Sequence, residues 1–249
     1  MEKNYIKCGD CLELMKEIPD KSIDLILCDL PYGTTRNKWD IIINFEKLWK
    51  QYNRIIRDNG VIVLFGNEPF TSKLILSNIK NFKYKLTWVK DSCTNFLNAK
   101  HQPLKQIEDI CVFYKNKPTY NPQMKQGKPY RQKSGLPKGN YDIAHCNIVE
   151  TINDGFRYPS DLLEFKKVKK TVHPTQKPVA LLEYLIKTYT NDGDIVLDNC
   201  MGSGSTGVAA INTNRNFIGF EINKEYYEIA KQRINKASDA ILNGKDSWE

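Results

Sequence analysis

The chain has 249 residues, 41% of them hydrophobic, and its 37 Lys and Arg against 29 Asp and Glu give a formal net charge of +8 with a pI near 9.0. That composition supports a real core in one large or two small domains, and no stretch approaches the roughly 18 to 20 apolar residues that cross a bilayer. Met1-Glu2-Lys3 opens no signal peptide, so a globular, cytoplasmic protein facing a polyanion is expected. Seven scattered cysteines read as reduced thiols, and the Cys8/Cys11 pair lacks the second Cys or His pair that zinc needs, so neither disulfide nor metal is expected.

Tyr5 to Cys8 reads as a short strand leaving at Gly9-Asp10, and Leu12 to Ile18 as a helix stopped by Pro19. Ile23 to Cys28 is a short apolar run with little alternation, the pattern of a strand buried on both faces. From Phe45 to Arg57, residues Phe45, Leu48, Trp49, Tyr52, Ile55 and Ile56 share one helical face, with Gly60 as the cap. Val61 to Phe65 is another buried strand, and Pro69 starts a helix reaching about Ile79. Tyr84 to Val89 and Ile107 to Tyr114 read as two further strands that form an antiparallel edge.

After Tyr114 the texture changes. From Lys115 to Tyr141 there are seven Lys and Arg, no Asp or Glu, and four prolines (Pro118, Pro122, Pro129, Pro137) among three tyrosines, which neither a helix nor a buried strand tolerates. A loop-rich cationic insertion is expected, closed by Lys166-Lys167-Val168-Lys169-Lys170. Regular structure resumes with a helix from Val179 to Tyr189 opened by Pro178, and a buried strand Ile195 to Leu197 delivers Asp198 to the run Gly202-Ser203-Gly204-Ser205-Thr206-Gly207. Val208 begins a helix, Phe217 to Phe220 is a strand ending at Glu221, and Lys224 to Ile234 is a helix. The expected division is 1–114, an insertion over 115–170, a second half over 171–236, and a tail over 237–249.

Two places carry chemistry. Asp29-Leu30-Pro31-Tyr32 follows the Ile23 to Cys28 strand, so a carboxylate stands at the carboxyl end of a strand, where open α/β sheets bind ligands. Pro31 biases Leu30 toward an extended backbone and fixes its carbonyl beside Asp29; two acceptors and an aromatic face suit a flat ring bearing an exocyclic NH2. The second place is a strand, glycine turn, helix, strand and terminal acid, the nucleotide-binding half of a Rossmann-like sheet. An anionic Asp198 at the turn repels a pyrophosphate and attracts an ammonium group, which points to S-adenosylmethionine (SAM). Gly202 and Gly204 let the backbone approach such a ligand, and Glu221 is placed for two ribose hydroxyls.

Asp29-Leu30-Pro31-Tyr32 resembles the D-P-P-Y motif of DNA amino-methyltransferases, with Leu30 at the second position. The segment from Asp198 resembles their D-x-F-x-G-S-G-T motif, with Cys200 at the Phe position and Ser205 at the Thr position. Gly9-Asp10-Cys11 is similar to the family's segment for the SAM adenine, although Asp10 alone reads equally well as a helix N-cap. His173-Pro174-Thr175-Gln176-Lys177-Pro178 matches the H-P-T-Q-K-P element. This order, with the catalytic strand ahead of the SAM strand and an insertion between them, resembles the β group of that family, and Asp29 at the first motif position looks like its adenine-specific members.

The resemblance implies one seven-stranded sheet with helices on both faces and a target-recognition insertion. Catalysis would fall to Asp29, Leu30, Pro31 and Tyr32. SAM would meet Asp10, Cys11, His173, Thr175, Lys177, Asp198, Cys200, Gly202, Ser203, Gly204, Thr206, Glu221 and Ile222, with Lys177 or a backbone N–H at the methionine carboxylate. DNA contacts are expected from Lys115, Lys117, Lys125, Lys128, Arg131, Lys133, Lys138 and Arg157. The partner would be double-stranded DNA, with a second copy of the chain and a cognate restriction endonuclease as further partners. The rival readings are a cytosine-N4 methyltransferase and a basic nucleic-acid-binding module without catalysis.

Overall fold

The computed structural model describes residues 4–34, 37, 40–133, 150–169, 171–172 and 175–243. Two compact units emerge, Met1–Asn121 with Asp161–Glu249, and Pro122–Ser160. The larger begins with β1 (Tyr5–Cys8) and α1 (Cys11–Leu14), whose last turn tightens to a 3-10 turn over Met15–Glu17 ahead of Pro19. It continues with β2 (Ile23–Cys28), α2 (Phe45–Ile55), β3 (Ile56–Gly66), α3 (Phe70–Ser77), β4 (Phe82–Thr94) and β5 (Lys105–Phe113).

The smaller unit is a pair of nested antiparallel ladders, with β6 (Lys125–Gln126) on β9 (Phe156–Arg157) and β7 (Tyr130–Lys133) on β8 (Glu150–Asn153). The larger unit resumes with β10 (Leu162–Glu164), α4 (Val179–Tyr189), β11 (Ile195–Asp198), α5 (Ser205–Asn212), β12 (Asn216–Glu221) and α6 (Lys224–Leu242). No helix among the described residues is long and apolar enough to cross a membrane.

The large sheet runs β1-β12-β11-β2-β3-β5-β4-β10, parallel throughout except for β5, which is antiparallel to both its neighbours. The seven expected strands are present, and β10 adds an eighth at the edge, parallel to β4. Because β2 is fully buried, its successive side chains feed two cores. Leu25 and Leu27 join Val61, Val63, Leu181, Leu185 and Ala209 on one face, under α4, α5 and α6. Ile26 and Cys28 join Ile62, Leu64, Leu48, Tyr52 and Phe70 on the other, under α2 and α3.

Gly60 does not cap α2. That helix ends at Ile55, and Gly60 lies inside β3, where the register with β2 jumps from Ile23↔Ile56 to Leu25↔Val61. A Cβ at Gly60 would meet Ile56 Cδ1 at 2.8 Å and the Asp24 carbonyl at 2.9 Å, so the glycine serves a close backbone approach at a bulge.

Candidate active site

Chain order turns around between β2 and β11: β2 continues outward to β3, and β11 continues the other way to β12. Val196 and Leu197 pair with Leu25 and Ile26, so the carboxyl ends of the two strands emerge side by side at this switch point. One ends at Asp198; the other leads straight into Asp29.

Asp29 enters a buried ionic cluster that the sequence did not announce. Its Oδ2 lies 2.5 Å from Lys177 Nζ, and its Oδ1 accepts from the Tyr32 hydroxyl at 2.6 Å. Lys177 Nζ also contacts Glu108 Oε1 at 2.9 Å, and Lys90 Nζ meets Glu108 Oε2 at 2.8 Å. Two carboxylates and two ammonium groups thus alternate. Burial raises the Asp29 carboxyl above its usual range, while Lys177 draws it down. For Glu108 burial acts the same way, yet Lys177 and Lys90 together hold it below the ordinary value. Burial also opposes the Lys177 charge, but Asp29 and Glu108 outweigh it and keep the ammonium protonated. Burial and the neighbouring carboxylates hold the Tyr32 phenol well above its usual range, so it donates to Asp29.

The loop after Tyr32 is clamped by a second acid. Asp40 accepts from the Gly33 N–H at 2.8 Å and the Thr34 N–H at 2.9 Å. Gly33 has φ +68, a conformation that favours glycine, and a Cβ there would also crowd Ile42 Cγ1 at 3.0 Å. The Tyr32 ring is backed by Phe70, with centroids 4.7 Å apart.

Asp198 is held just as firmly. It accepts from Thr206 Oγ1 at 2.6 Å and from the Cys200 N–H at 3.1 Å, and burial pushes its carboxyl up to about 6. Glu221 accepts from the Gly202 and Asn223 N–H groups, each at 2.8 Å. Arg233 reaches from α6 to the Ser203 carbonyl at 2.5 Å and the Ser205 hydroxyl at 3.2 Å, bracing the turn from behind. Burial pushes the Cys28 thiol up to about 12, far from the thiolate a nucleophile needs.

A single cavity of about 400 Å³ gathers these groups. Asp29, Leu30, Pro31 and Tyr32 line it together with Asp10, Cys11, Thr175, Lys177, Asp198, Cys200, Gly202, Ser203, Thr206, Glu221 and Ile222. Asp10 also caps α1, accepting from the Leu12 N–H at 2.7 Å, so both readings of that residue apply at once. Gly204 stands off the cavity: a Cβ there would press on Ala230 Cβ at 2.9 Å, so it is glycine for the packing of α6 and not for a ligand. Lys177, expected at the methionine carboxylate, is engaged with Asp29 and Glu108. His173 lies outside the described residues.

Of the residues expected to meet DNA, Lys115 and Lys117 belong to the larger unit, and Lys125, Lys128, Arg131, Lys133 and Arg157 to the smaller one. Lys138 lies outside the described residues. Two of these cations hold the smaller unit together. Arg157 donates to the Lys128 carbonyl at 2.6 Å and lies 4.6 Å from the Tyr130 ring centroid, and Arg131 pairs with Glu150 at 3.0 Å.

Five carboxylates (Asp10, Asp29, Asp40, Asp198, Glu221) and one Lys line the cavity among the described residues. That donor set suits a cationic ligand with hydroxyls to donate and disfavours a pyrophosphate. A DNA methylase family profile matches residues 23–232. The chain belongs to the DNA methylase family.

Two curated relatives extend the match along the sequence. The type II methyltransferase M.HpaI of Haemophilus parainfluenzae is 31% identical over 96% of this chain and 76% of its own length. The DNA adenine methyltransferase YhdJ of Escherichia coli is 32% identical over 95% and 84%. Among solved structures, M1.HpyAVI bound to SAM superposes with a TM-score of 0.62 at 28% identity, covering 92% of this chain and 98% of that one. The cytosine-N4-specific PvuII methyltransferase gives a TM-score of 0.67 at 18% identity, covering 98% and 94%, a likeness of fold alone. As a DNA methylase, this protein is a SAM-dependent enzyme on a Rossmann-like sheet, and the carboxylate-lined cavity fits that cofactor.

Proposed function

We propose that this DNA methylase transfers a methyl group from SAM to the exocyclic N6 of an adenine turned out of double-stranded DNA at a specific site. The observation that carries the reading is the common cavity, which Asp29 and Tyr32 line together with Asp198 and Glu221. The amine of a paired adenine is out of reach of such a cavity, so the base must leave the stack at a cost of a few kcal/mol. Tyr32, backed by Phe70, replaces the lost stacking. Asp29 and the Leu30 carbonyl accept the two N6 hydrogens and favour the pyramidal nitrogen whose lone pair attacks.

SAM would supply the methyl carried on its sulfonium sulfur, and N6 releases one of its two hydrogens as a proton to complete the transfer. Positive charge builds on N6 during transfer, and the Asp29 carboxylate stabilises that charge more than the neutral amine. Lys177 and Tyr32 keep Asp29 ionised and aimed. Glu221 takes the ribose hydroxyls, Asp198 the ammonium end of the cofactor, and Asp10 with Cys11 the adenine ring. Lys115, Lys117, Lys125, Lys128, Lys133 and Lys138 meet phosphates, a contribution that weakens with salt, and the smaller unit reads the target. The reading includes a second copy of the chain, and a restriction endonuclease supported by the type II names of the relatives. It places the enzyme in the cytoplasm.

Digestion of treated DNA to nucleosides tests the product: N6-methyladenine is expected, and N4-methylcytosine in its place would overturn the assignment of the base. Long-read sequencing of DNA from cells expressing the chain is expected to show the modified adenine in one short sequence context.

Cofactor binding should depend on pH through Asp198. Its carboxyl titrates near 6 in the fold against an ordinary 3.8, so the folded chain holds that proton more tightly. Stability without ligand therefore falls as pH rises through that window. A cationic ligand needs the ionised form, so SAM affinity measured by calorimetry should weaken roughly tenfold between pH 8 and pH 5. Asp198→Asn should weaken binding at pH 8 and remove the dependence, whereas a wild-type affinity flat over that range would refute the role.

A further inference from the structure

The hairpin of β4 and β5 extends well beyond the sheet that holds the active site. Trp88 pairs with Glu108, the residue that touches both Lys177 and Tyr32, so this rung marks the level of the catalytic cluster. β4 then continues to Thr94, paired with Lys105. At about 3.3 Å per residue this carries the tip on the order of 20 Å further. Since β5 is antiparallel to both β3 and β4, β4 runs in the direction of β2 and β3. The projection is therefore at the carboxyl edge, the edge to which Asp29 and Asp198 deliver the cavity. Three strand spacings separate β4 from β2, roughly 14 Å.

The root of this hairpin is firmly held. Trp88 Nε1 donates to the Phe165 carbonyl at 2.9 Å, and Asp91 Oδ1 accepts from the Lys167 N–H at 2.9 Å. The tip is the opposite. Asn95 turns the chain with φ +70, a single 3-10 turn follows over Phe96–Asn98, and Phe96 and Leu97 are 67% and 99% exposed. From Ser92 to Ile107 there is no Asp or Glu, while Lys100, His101 and Lys105 are exposed beside the apolar pair. An apolar residue almost fully in water, at the end of a braced arm whose outer part carries lysines and amides and no acid, suits a partner that is both apolar and anionic. A base step in a polyanionic duplex is that partner.

We infer that the Phe96–Leu97 tip is a wedge that enters the base stack of duplex DNA beside the target adenine as that base swings into the cavity. The wedge fills the gap left by the departing base, and Lys100 and Lys105 meet the phosphates around it. This inference rests on the adenine reading above and adds the element that opens the duplex.

The test compares wild type with Phe96→Ala/Leu97→Ala on duplexes carrying the methylated context found by sequencing. One duplex has the target adenine paired with thymine; the other has it opposite an abasic position, where leaving the stack costs less. On the paired duplex the variant should lose roughly 10- to 100-fold in kcat/KM, the scale of one base stacking on a side chain. On the abasic duplex it should stay within about threefold of wild type, since extrusion there is already cheap. With 2-aminopurine at the target, the fluorescence gain on binding should drop in the variant, while its melting temperature and SAM affinity match wild type. Equal losses on both duplexes, or no loss on either, would overturn the wedge. A wild-type protein that methylates neither duplex would overturn the adenine reading itself.

Discussion

Replacing Asp29 by alanine is expected to lower kcat for methyl transfer by about 10²- to 10³-fold, the usual effect of removing one group aimed at developing charge. SAM affinity should stay near wild type, because Asp198 and Glu221 sit on other strands and keep their own hydrogen bonds. The fold should survive, since Lys177 retains Glu108 at 2.9 Å. Asp29→Asn separates charge from shape: it keeps an acceptor for Tyr32 and loses the negative charge. If the charge stabilises the transition state, it falls nearly as far as alanine does. Radiolabelled methyl transfer and calorimetry with SAM give the two readouts, and an Asp29→Ala protein retaining most of its activity would remove Asp29 from the chemistry.

Lys177→Met should be the most destabilising single change at the site. The side chains of Lys177, Asp29 and Glu108 are only 9%, 18% and 7% exposed, so methionine leaves two carboxylates facing each other in a poorly hydrated place. Breaking a buried pair from one side costs about 3 to 5 kcal/mol; the lower end applies, because Lys90 still neutralises Glu108. Thermal melting should drop by roughly 6 to 12 °C for a chain of this size. The activity profile should also shift to higher pH, since Asp29 loses the cation that opposes its burial. Its folded pKa, already raised, rises further, and the ionised form that catalysis needs appears only at higher pH. Combining Lys177→Met with Asp29→Leu should recover much of the melting temperature without recovering activity. A Lys177→Met protein that melts with wild type would show the pair to be of no consequence to the fold.

Most strands were legible because they are short apolar runs closed by Gly or an acid, and Asp29 and Asp198 were legible because each ends such a run. The edge strand Leu162–Glu164 left no such mark; it is three residues long and only Leu163 is buried. The outer half of β4 was missed for a related reason. Past Val89 the hairpin has no sheet face to cover, so Lys90 to Thr94 carries no alternation for burial to impose. Nothing local marks Glu108 and Lys90 as buried: Glu108 is neutralised by Lys177, 69 residues away in sequence, and Lys90 reaches Glu108 only across the β4–β5 pair. Lys177 itself was picked out by its motif, but a motif does not say which of two nearby anions a flexible ammonium will meet. Gly60 and Gly204 were read from local patterns, whereas the residues that forbid a side chain there, Ile56 and Ala230, are set by register and helix packing.

β5 carries two adjacent acids that serve opposite faces of the sheet. Glu108 joins Lys177 and Lys90 on the cavity side, and Asp109 takes the Thr71 hydroxyl and Lys85, each at 2.8 Å, on the side of α3. A slip of this strand by one residue would exchange them. The shorter acid would then hang beneath Lys177 and the longer one would be forced against Thr71, with every apolar neighbour of β5 also turned to the wrong core. Misalignment is thus penalised by charge as well as by greasy surface, and the alignment that buries the right residues is also the one that sets Glu108 beside Lys177.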